Sequence, residues 1–202
     1  MSLTKLERQT VRYYDEHILE WIDPRKPGDP SSWSRQIETF KELLPEGRIL
    51  EIGTGSGREA VQLIGLGYDY TGVDASSGLI REAEAAIPQG KFFHRTVYDL
   101  DFPPQSFDGF WTAATLLHIP KNRIQEALTQ IRFVVRRGGI GFISLKEGEG
   151  EGVEKSTGRL FTYYSSDEFI DILKKVGMDL VKSGTRIGSD NTHWVTFFVS
   201  RA

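Results

Sequence analysis

Strand and helix patterns that alternate from Arg48 onward predict an α/β fold, a parallel sheet covered by helices on both faces. Three observations carry this expectation. Strand-like segments at 48–52, 69–73, 91–94, 107–112 and 139–145 are separated by helix-like segments near 57–66, 76–87 and 120–135. The run from Ile49 to Glu59 reads as a buried strand, a glycine loop and the start of a helix. The helix near 120–135 carries Ile124, Ala127, Leu128, Ile131, Val134 and Val135 on one face, the stripe a helix needs to sit on a sheet.

Ahead of the first strand, Val11, Tyr14, Ile18 and Ile22 recur at helical spacing, and Trp33, Ile37, Phe40 and Leu44 do so behind a Ser31-Ser32 start signal. Two helices are therefore expected before the sheet. The prolines and glycine between Asp23 and Pro30 make that stretch a connector or a mobile loop. Beyond the fifth strand, Glu147-Gly-Glu-Gly-Glu-Gly152 is the one low-complexity segment, read as a solvated loop or, less simply, a lid. Ser165 and Glu168 form an S-x-x-E capping box that opens a helix with Phe169, Ile172, Leu173 and Val176 inward. Two β-rich segments, near 178–186 and 193–200, end the pattern, and no internal repeat is evident.

The 202 residues fit one domain, with 39% hydrophobic and 26% charged residues and a net charge of -3. That slightly acidic balance speaks against nucleic acid as a partner, since phosphate neutralisation needs a basic face. Absence of cysteine excludes disulfides, thiolate metal sites and a cysteine nucleophile. With no apolar leader and no spanning apolar run, no membrane partner and a cytoplasmic location are expected.

The glycine loop is the most telling segment. Gly53, Gly55 and Gly57 lack Cβ atoms, so the backbone can adopt positive φ and approach a bound molecule with its N–H groups turned inward. Arg58 stands in the first turn of a helix, where a cation opposes the macrodipole and a ligand carboxylate would reverse the penalty. Dinucleotide enzymes place G-x-G-x-x-G here, but the sixth position is Arg58; Glu51-x-Gly53-x-Gly55-x-Gly57 is an acid followed by glycines at every second residue. Asp74, at the end of the second strand, has the spacing of an acid that accepts both hydroxyls of a ribose, or it caps the helix that follows. Asp99 follows the third strand, where a turn aspartate is the plainer reading.

Taken in order, Glu51, the spaced glycines, Asp74, Asp99, the Phe107-Asp-Gly-Phe-Trp strand and an Arg136-Arg-Gly-Gly139 turn resemble the layout of class I S-adenosylmethionine-dependent methyltransferases over roughly residues 10–200. The runs Phe107 to Pro120, Lys146 to Gly150 and Gly158 to Tyr164 look like small stand-alone bacterial members of undefined substrate. This resemblance implies a Rossmann-like, doubly wound, mostly parallel seven-stranded sheet with the last strand antiparallel. It also implies a helical cap segment over 1–46, a cofactor-binding core over 47–202, and S-adenosyl-L-methionine lying across the strand ends. In those terms the cofactor set is Glu51, Gly53, Thr54, Gly55, Gly57, Arg58, Asp74, Ala75, Tyr98, Asp99, Leu100 and Thr112, with Asp99 near the adenine amino group and Tyr98 or Leu100 over the ring.

Departures from neighbouring families narrow the expected chemistry. Trp111-Thr-Ala-Ala replaces the Asn/Asp-Pro-Pro-aromatic motif of adenine and glutamine N-methyltransferases, and the cysteine of cytosine C5 methylation is missing. No oxygen-ligand cluster for a metal can be assembled. Glu51 for the commoner Asp and Thr54 for the commoner Cys are mild variations. His118, at the end of the fourth strand, is the candidate base, or else it packs and caps the next helix. Tyr13, Tyr14, Trp33, Arg159, Tyr163 and Tyr164 are the candidate lining for a small-molecule substrate, ordinary core packing being the alternative. A monomer or homodimer is expected. A nicotinamide-dependent oxidoreductase and a non-catalytic cofactor-binding module stand as rival readings.

Overall fold

The computed structural model describes residues 2–22, 33–188 and 190–202. Asp23 to Ser32, which hold the expected connector and the Ser31-Ser32 start signal, lie outside the described residues.

Three helices precede the sheet: α1 (Lys5–Glu16), α2 (Leu19–Ile22) and α3 (Ser34–Leu43). The single helix expected through Val11 to Ile22 is broken at His17, whose ring and backbone nitrogens both meet the Tyr13 carbonyl oxygen. Asp15 and Glu16 put negative charge on the C-terminal turn, where the dipole disfavours it. A capping box that the sequence reading did not single out opens α1: Glu7 N–H donates to Thr4 Oγ1 and Thr4 N–H to Glu7 Oε2.

Strands β1 (Arg48–Ile52), β2 (Asp69–Asp74), β3 (Lys91–His94), β4 (Phe107–Ala113) and β5 (Val135–Lys146) alternate with α4 (Arg58–Gly65), α5 (Ser77–Ala86) and α6 (Ile124–Val134). Short β6 (Glu151–Val153) and β7 (Leu160–Thr162) come next, then α7 (Ser166–Lys175), β8 (Met178–Ile187) and β9 (His193–Arg201). The main sheet has seven strands in the order β3-β2-β1-β4-β5-β9-β8. β1 pairs parallel with β2 and β4, β4 with β5, and β9 runs antiparallel between β5 and β8. This is the expected Rossmann-like sheet, and the order reverses between β1 and β4, which opens a crevice beyond their carboxyl ends.

Alternation along the strands divides the core between two faces. Leu50, Phe110, Ile143 and Phe197 join α6 and α7, while Ile49, Trp111, Phe142 and Phe198 join α3, α4 and α5. The Arg136–Gly139 turn is absorbed into β5 as an irregular bulge: pairing jumps from Phe107↔Val135 to Gly109↔Ile140. Asp108 fastens it, accepting from Arg136 Nε at 2.7 Å and from the Arg48 N–H at 2.7 Å.

Two further features differ from expectation. The acidic loop runs into the β6–β7 hairpin, an antiparallel pair with Gly152 opposite Phe161. At α7 only half of the capping box forms: Ser165 Oγ accepts from Glu168 N–H, but the Glu168 carboxylate turns to Lys121 Nζ at 2.7 Å. No helix among the described residues is long and apolar enough to cross a membrane.

Phe142 is fully buried, stacked on Trp111 at 4.0 Å between centroids and packed against Trp33 and Phe198. Phe142→Ala is expected to cost about 3–5 kcal/mol, read as a shift in the urea midpoint with an unchanged slope.

Candidate active site

A cavity of about 590 Å³ opens over the carboxyl ends of the parallel strands. At one end it is lined by the β1–α4 loop, the end of β2 and the segment after β3; at the other by the segment after β4, Lys146 of β5, the β6–β7 hairpin and the β8–β9 turn. α1 and α2 cover it with Tyr14 and Trp21.

The covering helices are tied down at three points. Glu7 pairs with Arg123 Nη1 at 2.7 Å and also accepts from the Tyr98 hydroxyl. Thr10 Oγ1 accepts from the Leu160 N–H at 2.9 Å, and Asp15 Oδ1 accepts from Ser76 Oγ and the Gly78 N–H. These bonds fasten the cap to both ends of the cavity.

In the glycine loop, Gly53 (φ 77) and Gly55 (φ 57) have left-handed backbone. A Cβ on Gly53 would lie 2.0 Å from Thr115 Oγ1, so that glycine permits close packing of two loops. A Cβ on Gly55 would meet nothing within 4 Å: it borders open cavity. Asp74 Oδ2 accepts from the Gly55 N–H at 2.9 Å and Oδ1 from the Ser76 N–H at 2.8 Å. Ser76, rather than Asp74, caps α5, through Leu79 N–H. Each Asp74 oxygen keeps a second lone pair for a ligand.

Glu51 is buried beneath the loop, where Oε2 accepts from Thr54 Oγ1 at 3.1 Å and from the Tyr70 hydroxyl. Burial foremost, then the Glu59 charge, pushes its pKa well above the ordinary carboxylate range. Burial likewise raises Glu59 and Asp74, against the lowering effect of hydrogen bonds. Three carboxyl groups thus crowd this end, an arrangement that a bound cation would relieve. Arg58 and Ser56 both donate to the Trp21 carbonyl, at 3.2 Å each, which joins the loop to the cap.

At the other end, His118 Nδ1 lies 2.6 Å from the Leu160 carbonyl oxygen, which can only accept. Nδ1 therefore carries the proton, and Nε2 accepts from the Tyr14 hydroxyl at 2.8 Å. Arg159 Nη1 donates to the same hydroxyl at 3.2 Å and Nη2 to Glu154 at 3.1 Å. Burial above all, then the Arg159 and Lys146 charges, lower the His118 pKa to about 4. Ala114, between β4 and His118, holds φ 53, a strained value for a residue with a Cβ.

Of the expected residues, Gly53, Thr54, Gly55, Arg58, Asp74, Ala75, Tyr98, His118, Tyr14, Trp33 and Arg159 line the cavity. The others do not. Glu51 is behind the loop, Gly57 packs toward Ile87, Leu100 is in the core, and Thr112 is fully buried with an unpartnered hydroxyl. Asp99 is exposed: a turn in which its N–H meets the Thr96 carbonyl carries it outward, and Thr96 and Val97 face the cavity instead. Tyr13 stacks on His17, Tyr163 borders a separate surface depression, and Tyr164 is buried against Phe169. Glu59, Trp21, Phe161, Lys146, Arg186 and Trp194 line the cavity without having been singled out. A sequence signal existed only for Glu59, in the first turn beside Arg58. Among the described residues no cluster of three or more His, Asp or Glu could hold a metal ion.

A family model described as a methyltransferase domain matches residues 49–139. The uncharacterized protein MJ1123 of Methanocaldococcus jannaschii is 30% identical, over 84% of this chain and 81% of that protein. Demethylmenaquinone methyltransferase of Thermotoga maritima is 27% identical over 79% and 70%. Among solved structures, 1,6-didemethyltoxoflavin-N1-methyltransferase of Burkholderia thailandensis, with 1,6-didemethyltoxoflavin and S-adenosylhomocysteine bound, superposes with a TM-score of 0.80, covering 100% of this chain and 92% of that one. At 19% identity that likeness speaks to the fold.

The His118 geometry sets a pH dependence. Its folded pKa of about 4 lies below the unfolded value of 6.5, so between those values the unfolded chain binds more protons. Its contribution to stability is whole above about pH 6.5 and is lost as pH falls toward about 4. In urea titrations the stability advantage of wild type over His118→Asn should shrink between about pH 7 and about pH 4.5. A gap that stays constant with pH would mean that the imidazole titrates as in the unfolded chain.

Proposed function

We propose that this chain, which belongs to the class I S-adenosylmethionine-dependent methyltransferases, moves a methyl group to a small-molecule acceptor by in-line displacement and releases S-adenosylhomocysteine. The observation that carries this reading is the cavity's arrangement: the half-buried Asp74 and Glu59, with Glu51 buried behind them, gather around an open glycine loop at one end, and a neutral imidazole stands at the other.

The cofactor end has the features such a ligand needs. Gly55 leaves room at the loop, and the cavity-lining Trp21 Nε1 and Thr96 Oγ1 are buried polar atoms without a partner among the described residues. Arg58 and the loop amides suit the methionyl carboxylate, and Asp74 suits the ribose hydroxyls. Glu59, backed by Glu51, suits the ammonium, while Thr96, Val97 and Tyr98 flank the base. Bound there, S-adenosylmethionine supplies a sulfonium methyl: the acceptor's lone pair takes it as the carbon–sulfur bond breaks with its electrons left on sulfur.

The one lone pair of His118, at Nε2, already accepts from the Tyr14 hydroxyl, so a proton leaving the acceptor would pass to the Tyr14 oxygen as that hydroxyl hands its own proton to Nε2. With a pKa of about 4 the imidazole is unprotonated near neutrality yet a weak proton acceptor. Alignment of two bound reactants can supply about 7–11 kcal/mol, against roughly 3–5 kcal/mol for a well-matched base. Positioning by the cap and loop therefore carries most of the rate.

Calorimetric titration with S-adenosylhomocysteine tests the assignment. Asp74→Ala removes a charged hydrogen-bonding group and should weaken binding by about 1.5–3 kcal/mol, roughly 10- to 150-fold. Gly55→Val, forced into φ 57, should weaken it at least as much. His118→Ala should leave it unchanged. Wild-type affinity in both Asp74→Ala and Gly55→Val would refute the site.

A further inference from the structure

Resting on the methyltransferase reading, we infer that the acceptor is an anionic molecule with a planar body, its acidic group seated on Lys146 and its nucleophile turned toward His118 and Tyr14. Lys146 ends β5 and lines the cavity, its Nζ 4.0 Å from the Phe161 ring centroid. Arg159 Cζ lies 5.0 Å from the same centroid, and His118 is centred 4.8 Å from it. Two cations thus flank one ring beside the candidate base.

The two cations differ in what already holds them. Arg159 is engaged by Glu154 and by Tyr14. Lys146 Nζ has no hydrogen bond and no carboxylate partner among the described residues; it lies over the Phe161 face. A half-buried ammonium in that position has lost water without gaining an anion. Burial, opposed by the Glu154 charge and aided by that of Arg159, lowers its pKa.

The nearby acids are occupied elsewhere. Glu154 takes hydrogen bonds from Thr157 and Arg159, and both hold its pKa down. Asp190 accepts from the Thr192 N–H at 3.0 Å and hydroxyl at 2.8 Å, which lowers its pKa too. Among the described residues, Lys146 is thus a cavity-lining cation whose neighbouring carboxylates are already committed. A carboxylate, phosphate or phenolate would supply the partner that Lys146 lacks among the described residues.

The body of the molecule follows from the walls. Tyr14, Trp21, Trp33, Phe161 and Trp194 line the space around these charges, flat faces that favour a planar skeleton. Neutral and cationic acceptors of the same shape meet the same walls but leave the ammonium unpaired or repel it.

Benzoate and benzamide, isosteric and differing in charge, provide the test on protein saturated with S-adenosylhomocysteine, with Kd values from NMR titration. Benzoate should bind about tenfold or more tightly, the effect of one charge-assisted hydrogen bond. Lys146→Met should bring the two probes to within about twofold, and Lys146→Arg should keep the preference, both variants retaining wild-type S-adenosylhomocysteine affinity and Tm. Equal affinities in the wild type, binding of neither probe, or a preference that survives Lys146→Met would overturn the inference. Failure of the first step, saturation with S-adenosylhomocysteine, would overturn the underlying cofactor assignment, a separate result.

Discussion

The Asp74 carboxylate joins the two crossover loops on which the site is built. By accepting from Gly55 and Ser76 it ties the loop after β1 to the start of α5, a union possible because β1 and β2 lie side by side and end together at Ile52 and Val73. Gly53 and Thr54 strengthen the joint by donating to the Val73 carbonyl at 2.8 and 3.1 Å. The carboxylate is half-buried, and its partial desolvation is offset while those N–H groups stay in place. Loop shape, cavity mouth and ionisation are therefore one coupled arrangement.

Around that joint the cavity is polarised. Carboxyl groups gather over β1 and β2 beside Arg58 and Arg95, while Lys146, Arg159 and Arg186 stand over β5, the β6–β7 hairpin and the β8–β9 turn. The covering helices belong to the same design. Glu7, Thr10 and Asp15 each spend a side chain on a bond to the body of the molecule, and this steadies Tyr14 over His118. Mutations in α1 far from the chemistry would consequently act through the position of that hydroxyl.

Much of this was legible in the chain. Strand and helix segments from β1 to α5 are recovered within a residue or two, because period-2 and period-3.6 patterns report burial directly. The misreadings have physical causes. Tyr13 and Tyr14 are neighbours on a helix and point about 100° apart, so only Tyr14 reaches the cavity. Asp99 has the right residue type near the right strand, but a turn swings it to solvent and presents Thr96. Tyr163 and Tyr164 lie beyond a hairpin too short and polar to announce itself, which leaves Phe161 as the ring at the site.

The sequence by itself determined the architecture and the glycine-loop end of the cavity, since a strand, a glycine loop, a helix and two acids at strand ends are local features whose geometry follows from backbone sterics. Only the tertiary structure decided the other end. Tyr14, His118, Lys146 and Arg159 come from four separate elements, and their convergence depends on how the cap and hairpin pack over the sheet. The His118 proton is likewise placed by a carbonyl 42 residues away, a contact that no local pattern encodes.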